Sequence, residues 1–206
     1  GREIAFDAIR WRQVLGWSQP PRYLADGFDS PVGSPQERQT PGGTTWPDTW
    51  YSSNPYKNRY SLLGTPTIHT GDDLLVKRGG TFGQPLYATA SGIVTNAKRL
   101  AGSWGDVIVI RHDPLVGTGE IVYSRYGHVG NMLVRVGDRV VRGQRIATIS
   151  DAYGVFRSVP HLHFDISPTR ILESSPGDWP GMDMTRVERD YANPRTFIYG
   201  NRPVKP

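Results

Sequence analysis

The sequence predicts a mainly β protein: one antiparallel β-sheet domain, with a peripheral helix at its N-terminal end and irregular N- and C-terminal extensions. Three observations carry this reading. Between Thr67 and Ile171, short runs rich in Val, Ile, Tyr and Thr follow one another, punctuated by Gly, Asp and Pro. The 24 Gly and 17 Pro among 206 residues favour many turns and short elements over a helical bundle. Helical spacing shows only near the two ends. With 37% hydrophobic residues, the chain is long enough for one substantial core and short for two.

At the N-terminal end, Ile4, Ala8, Trp11 and Leu15 are spaced as one face of a helix, which Gly16 is placed to end. This helix is expected to dock on the main domain. From Phe28 to Tyr60 the composition shifts to Pro, Gly, Ser, Thr and aromatics, as in SPVGSPQERQTPGGTTWPDTWYSSNP. It reads as a long irregular arm. Its Trp46, Trp50, Tyr51, Tyr56 and Tyr60 either pin the arm to the domain, the commoner use of such residues, or line a substrate groove.

The strand-like runs are PLYATA, GIVTNA, DVIVIRH, EIVYSRYGH, MLVRV, RVVRGQRIATIS and LHFDI. The stretch VGDRVVRGQRIATIS reads as a hairpin turning near Arg142 and Gly143. After Ser174 a helix is expected near Met184 to Tyr191, and NPRTFI reads as a closing strap. These boundaries divide the chain into 1–63 (helix and arm), 64–172 (core domain) and 173–206 (C-terminal extension).

The net charge of +5 suits a polyanionic surface such as a cell wall, acidic lipid or nucleic acid, without choosing among them. No cysteine is present, which excludes a disulfide framework, a thiol nucleophile and a thiolate zinc site. Any metal must therefore use His, Asp or Glu. No apolar run approaches the roughly 18 residues of a membrane span. The chain opens at Gly1 with no signal-peptide pattern, which reads as a processed N-terminus.

The chemistry concentrates in four stretches. In PHLHFDI, His161 and His163 lie two apart, so on a strand they share one side, while Leu162, Phe164 and Ile166 fill the other. In IHTGDDL, His69 and Asp73 are four apart and share a side, whereas Asp72 faces away. Gly71 between them permits a bulge or a close backbone approach. RYGHVG places His128 at a strand end, and VIRHD places His112 at the end of an apolar strand, where it reads as structural. Catalytic zinc needs three N/O ligands and one open position. Two histidines and one carboxylate drawn from His69, Asp73 and the HLH pair meet that need.

Taken in order, IHTGDDL, PLYATASGIV, WGDVIVIRH, YSRYGHV, VGDRVVRGQRIATIS and PHLHFDI resemble the LytM/lysostaphin-type zinc metallopeptidases, family M23. The resemblance spans His69 to Ile166 and implies a barrel-sandwich-hybrid-like β domain. It implies one zinc ion, with His69, Asp73 and His163 as ligands and His128 and His161 as the catalytic pair. The implied activity is that of a zinc-dependent metalloendopeptidase acting on cross-links or stem peptides of bacterial peptidoglycan through a zinc-activated water. The expected setting is secreted or on the outer side of the cell envelope, as a monomer without nucleic acid or a membrane span.

Two departures from the family pattern concern the loop AYGVFRSVPHLHF, made bulky by Phe156 and Val159, and Asp165, where the family more often has Glu. The alternative readings are a non-catalytic relative that binds wall or activates another hydrolase, and a protease of non-wall proteins. A biotinyl- or lipoyl-type carrier shares the VGDRVVRGQRIATIS hairpin but needs a Met-Lys-Met setting, which does not occur.

Overall fold

The computed structural model describes residues 25–39, 46–112, 119–151 and 159–203. The helix expected over Ile4 to Leu15 and the bulky Phe156 lie outside these residues. Helix α1 (Pro35–Gln39) comes first. Strands β1 (Trp50–Asn54), β2 (Arg59–Leu62), β3 (Thr65–Ile68), β4 (Asp72–Val76), β5 (Pro85–Tyr87), β6 (Gly92–Leu100), β7 (Gly105–His112), β8 (Val122–Gly130), β9 (Arg139–Val140), β10 (Arg145–Ile149) and β11 (Leu162–Ser167) follow. Helices α2 (Ile171–Ser174), α3 (Met184–Asp190) and α4 (Pro194–Gly200) close the chain.

Nine strands form one open antiparallel sheet in the order β1-β4-β11-β8-β7-β6-β9, with β10 joined to β8 and β5 joined to β10. β2 and β3 form a separate hairpin. The predicted fold class is therefore present. Both faces of the central strands are covered, which explains why DVIVIRH is a continuous apolar run instead of an alternating one. Ile108 and Ile110 enter the main core, while Val107 and Val109 join Tyr123, Leu172 and Tyr191 on the other face. On β11 the alternation is strict in function: Leu162, Phe164 and Ile166 are core, and His163, Asp165 and Ser167 face the opposite way.

Several local expectations need correction. The arm over 28–60 is partly built into the architecture, because β1 pairs with β4 and β2 with β3. Trp46 and Trp50 are buried in the main core, so these two aromatics pin the arm. MLVRV is not a strand; its Leu133 N–H donates to the Ile146 carbonyl at 2.8 Å, and Leu133 itself is exposed. A turn does occur at Arg142 and Gly143, but its two arms do not pair. Gly143 N–H donates to Ala88 O and Ala88 N–H to Gln144 O, both at 2.8 Å, so a third segment takes the hydrogen bonds of the turn. β9 then pairs with β6, and β10 with β5 and β8. NPRTFI is helix α4, started by Pro194 in its first turn and by the Asn193 side chain, which accepts from the N–H groups of Arg195 and Thr196.

Gly71 fixes how closely β4 approaches β11. A Cβ at this position would lie 2.1 Å from the Phe164 carbonyl oxygen, a contact with backbone that no side-chain rotation relieves. Gly71→Ala is expected to destabilise the protein by about 3 kcal/mol, read from urea denaturation. An unchanged midpoint would show that the two strands can part at no cost.

Candidate metal centre and active-site cleft

The sheet register assembles the site. β11 lies between β4 and β8, with His163 opposite Asp73 on one side and opposite Gly127 on the other. His69 precedes β4 by three residues and reaches the same side as Asp73. His69 Nε2, Asp73 Oδ1 and His163 Nδ1 form a nearly equilateral triangle: 3.0 Å between the histidines, 3.1 Å from His69 to Asp73 and 3.0 Å from His163 to Asp73. His69 and His163 are buried, and Asp73 opens partly to the cleft. Asp72 projects to the opposite side, as its parity predicts. It is fully buried there and not solvated, accepting from Trp46 Nε1 at 2.6 Å and Tyr56 N–H at 2.8 Å, with Arg195 Nε at 3.2 Å.

The state of each imidazole follows from what its other nitrogen faces. His163 Nε2 lies 2.9 Å from the Asp165 carboxylate, and Asp165 is ion-paired with Arg125. Burial would raise the Asp165 pKa, but the charges of Arg125 and His163 hold it far below the carboxylate range. An ionised carboxylate only accepts, so His163 donates from Nε2 and turns Nδ1 into the triangle. Burial opposes charge on His163, yet Asp165 and Asp73 outweigh it and lift its pKa to about 9. Positive charge is thus favoured at this ring, whether a proton's or a metal's. Asp73 is likewise held well below the carboxylate range: burial raises it, and His69 and His163 more than reverse that.

His128 and His161 face each other beside the triangle, with ring centroids 4.6 Å apart. His128 adopts φ 61° within β8, a left-handed conformation uncommon for a non-glycine residue and found preferentially at functional sites. The β7–β8 register shifts between Asp106 and Ile108, opposite this stretch. Its Nδ1 lies 3.0 Å from the Trp104 carbonyl, and His161 Nδ1 lies 2.8 Å from the Val159 carbonyl. Carbonyls only accept, so both rings donate from Nδ1 and carry the lone pair on Nε2. His161 Nε2 is 3.6 Å from Asp73 Oδ1. Burial is the main cause that lowers both pKa values, and neighbouring histidines add to it at each ring, so the neutral form is favoured at both.

These groups open onto a cleft of about 700 Å³. Tyr60, Leu62 and Leu63 of the β2–β3 hairpin form one wall, Trp104 contributes to another, and Trp179 also borders it. The sequence pointed to Tyr60 as a possible groove residue but gave no signal for Trp104, Trp179 or Arg125. Arg125 is fully buried, stacks 4.0 Å from the Trp104 ring, and donates to the carbonyls of Pro176 and Asp178 at 3.1 and 2.9 Å. His112 lies apart from the cleft. It is fully buried between the Ser91 carbonyl (3.1 Å) and Ser124 Oγ (2.7 Å), and burial pushes its pKa down to about 4.

Comparison with known proteins gives the family of the chain. Lipoprotein NlpD of Yersinia enterocolitica is 38% identical over 87 residues, which cover 42% of this chain and 80% of that protein. Peptidoglycan DD-endopeptidase ShyB of Vibrio cholerae serotype O1 is 32% identical over 112 residues, which cover 53% of this chain but only 23% of that protein. Among solved structures, the SpoIIQ–SpoIIIAH pore-forming complex matches with a TM-score of 0.54 at 18% identity, over 86% of this chain and 93% of that one, a likeness of fold. Among the described residues, no helix is long and apolar enough to cross a membrane. Residues 67–173 match the model of peptidase family M23, and with that match extending over more than half of its 206 residues, the chain belongs to this family.

Proposed function

We propose that the protein is a zinc metalloendopeptidase that cleaves peptide cross-links or stem peptides of peptidoglycan, in the cell envelope or outside the cell. The observation that carries the proposal is the triangle of His69, Asp73 and His163 at the base of a cleft beside two neutral histidines. The triangle suits a cation. It brings His163 Nδ1, the Asp73 carboxylate and His69 Nε2 within 3.0–3.1 Å of one another. A single shared proton satisfies one of those contacts, while a metal satisfies all three. Tetrahedral zinc ligands at about 2.0–2.1 Å from the ion lie about 3.3 Å from each other, close to the edges observed. The all-N/O donor set and the absence of cysteine fit zinc of the catalytic type.

His69, Asp73 and His163 would hold the ion, and a zinc bound there supplies Lewis acidity toward a peptide carbonyl and a water. The remaining work falls to the chain. Asp165, anchored by Arg125, keeps the His163 lone pair aimed inward. The Trp104 and Val159 carbonyls hold His128 and His161 in the tautomer that presents a basic Nε2. One of them takes the proton of the attacking water. Once protonated, the same nitrogen returns it to the leaving amine, while the other ring stabilises charge developing on the carbonyl oxygen only in its imidazolium form, with Nε2 as the donor. A neutral ring is the form that the proton-accepting role requires.

The peptidoglycan substrate is supported by the similarity to a protein named as a peptidoglycan DD-endopeptidase and, more weakly, by the net charge of +5. The test is to load the protein with zinc, measure the metal per chain, and identify by mass spectrometry the fragments released from purified walls of different bridge chemistry. One zinc per chain and new peptide termini, abolished by a chelator and restored by zinc, are expected. Bound zinc with wall binding but no new termini would establish the wall-binding or hydrolase-activating alternative instead.

A further inference from the structure

The tip of the β2–β3 hairpin is made of the wrong residue for its conformation. The register pairs Leu62 with Thr65, leaving a two-residue loop of Leu63 and Gly64. Both have positive φ, 52° and 85°, as a type I′ turn requires. Gly64 meets that demand without strain. Leu63 does not: a branched apolar side chain in the left-handed region clashes with its own backbone and offers no local hydrogen bond in return. Asn is the residue such a turn favours.

Burial does not offset this cost, since Leu63 remains 65% exposed. The fold therefore gives no reason for leucine at this position. The cleft does. Leu63 borders it, next to Leu62 and Tyr60, which project from the same side of β2 by the two-residue period of a strand. Tyr60 in turn packs edge-on against the ring of His69, with centroids 5.7 Å apart, so the hairpin wall adjoins the triangle directly. Asp73 is the only carboxylate bordering the cleft among the described residues, and it belongs to the triangle. Neither lysine nor arginine borders it there.

We propose that Leu63 is a specificity-determining residue, held in a strained turn so that its side chain covers an uncharged aliphatic side chain of the bound peptide close to the scissile bond. The proposal rests on the peptidase reading above. It also gives that reading a sign that ordinary surface residues lack: relieving the strain should stabilise the protein and impair it at once.

The experiment compares Leu63→Asn, Leu63→Gly and Leu63→Met in the zinc-loaded protein. Asn and Gly both accept the turn, so melting temperatures at or above the parent's are expected, with zinc content unchanged. For soluble cross-linked muropeptides, KM should rise about tenfold with kcat unaltered, the signature of lost uniform binding. Retention on insoluble peptidoglycan should fall in parallel, and Met should restore both. A parental KM and retention in Leu63→Asn would overturn the proposal, as would lower melting temperatures in both Asn and Gly variants. If the parent releases no fragments, the peptidase reading fails by itself. Retention then decides: reduced in Leu63→Asn it upholds the contact, and unchanged it overturns it.

Discussion

His128→Ala and His161→Ala are each expected to keep one zinc per chain and to hydrolyse peptidoglycan at least about 100-fold more slowly. The geometry separates the two properties. Neither ring belongs to the triangle: His161 comes no closer than 3.6 Å to Asp73 through Nε2, and His128 is tied to the Trp104 carbonyl. Losing either leaves three N/O donors in place. It removes, however, one of the two rings to which the proposed mechanism gives a proton-transfer or charge-stabilising role, and no other nitrogen beside the triangle is placed to substitute. His128 should also carry a structural signature. Its left-handed conformation disfavours alanine, so the His128→Ala melting temperature should fall below that of His161→Ala. Loss of zinc in either variant, or near-parental turnover in both, would show that the roles are divided differently.

What could be seen in the sequence is what depends on neighbours along the chain. The two-residue period of HLH and the even spacing from His69 to Asp73 are local, and the side chains do gather on one side, although His69 and His161 themselves lie just before β4 and β11. The same reasoning located α3 and most strands. What escaped depends on partners far away. Nothing in WYSSN says that it will pair with DDLLV, and that pairing turns part of an apparent arm into an edge of the main sheet. VGDRVVRGQRIATIS has the turn of a hairpin, but Ala88 captures the backbone groups that its arms would have exchanged. Arg125 reads as an ordinary outward residue of β8. Only the packing of Trp104 and the 176–178 segment over that face turns it into a buried cation holding Asp165. The α4 helix is a different kind of miss. Asn193 and Pro194 are a recognisable helix start, overlooked because the following TFI reads as strand.

Asp72 and Asp73 give the sharpest separation between fold and site, because adjacent carboxylates of one strand serve opposite faces. Asp73→Asn should weaken zinc binding at least about 100-fold, more than the loss of a supporting hydrogen bond would, because it removes the only anionic member of the triangle. It should cost the fold less, since Asp73 is partly open to the cleft and loses only its pairing with His69 and His163. Asp72→Asn should do the reverse. Its carboxylate is fully buried and accepts from Trp46 Nε1 and Tyr56 N–H beside the Arg195 guanidinium. An amide retains one acceptor oxygen but turns an NH₂ group toward one of those donors, at a cost of about 2 kcal/mol. Zinc affinity of that variant should stay within a few fold of the parent's. Bound metal stabilises the native state by mass action, so melting temperatures must be compared in excess chelator, where the Asp72 variant should fall further than the Asp73 variant. Zinc affinities should come from competition with a chromophoric chelator. Equal loss of zinc in the two variants would mean that β4 can slip by one residue at Gly71 and exchange its faces, a freedom that the contact of Gly71 with the Phe164 carbonyl argues against.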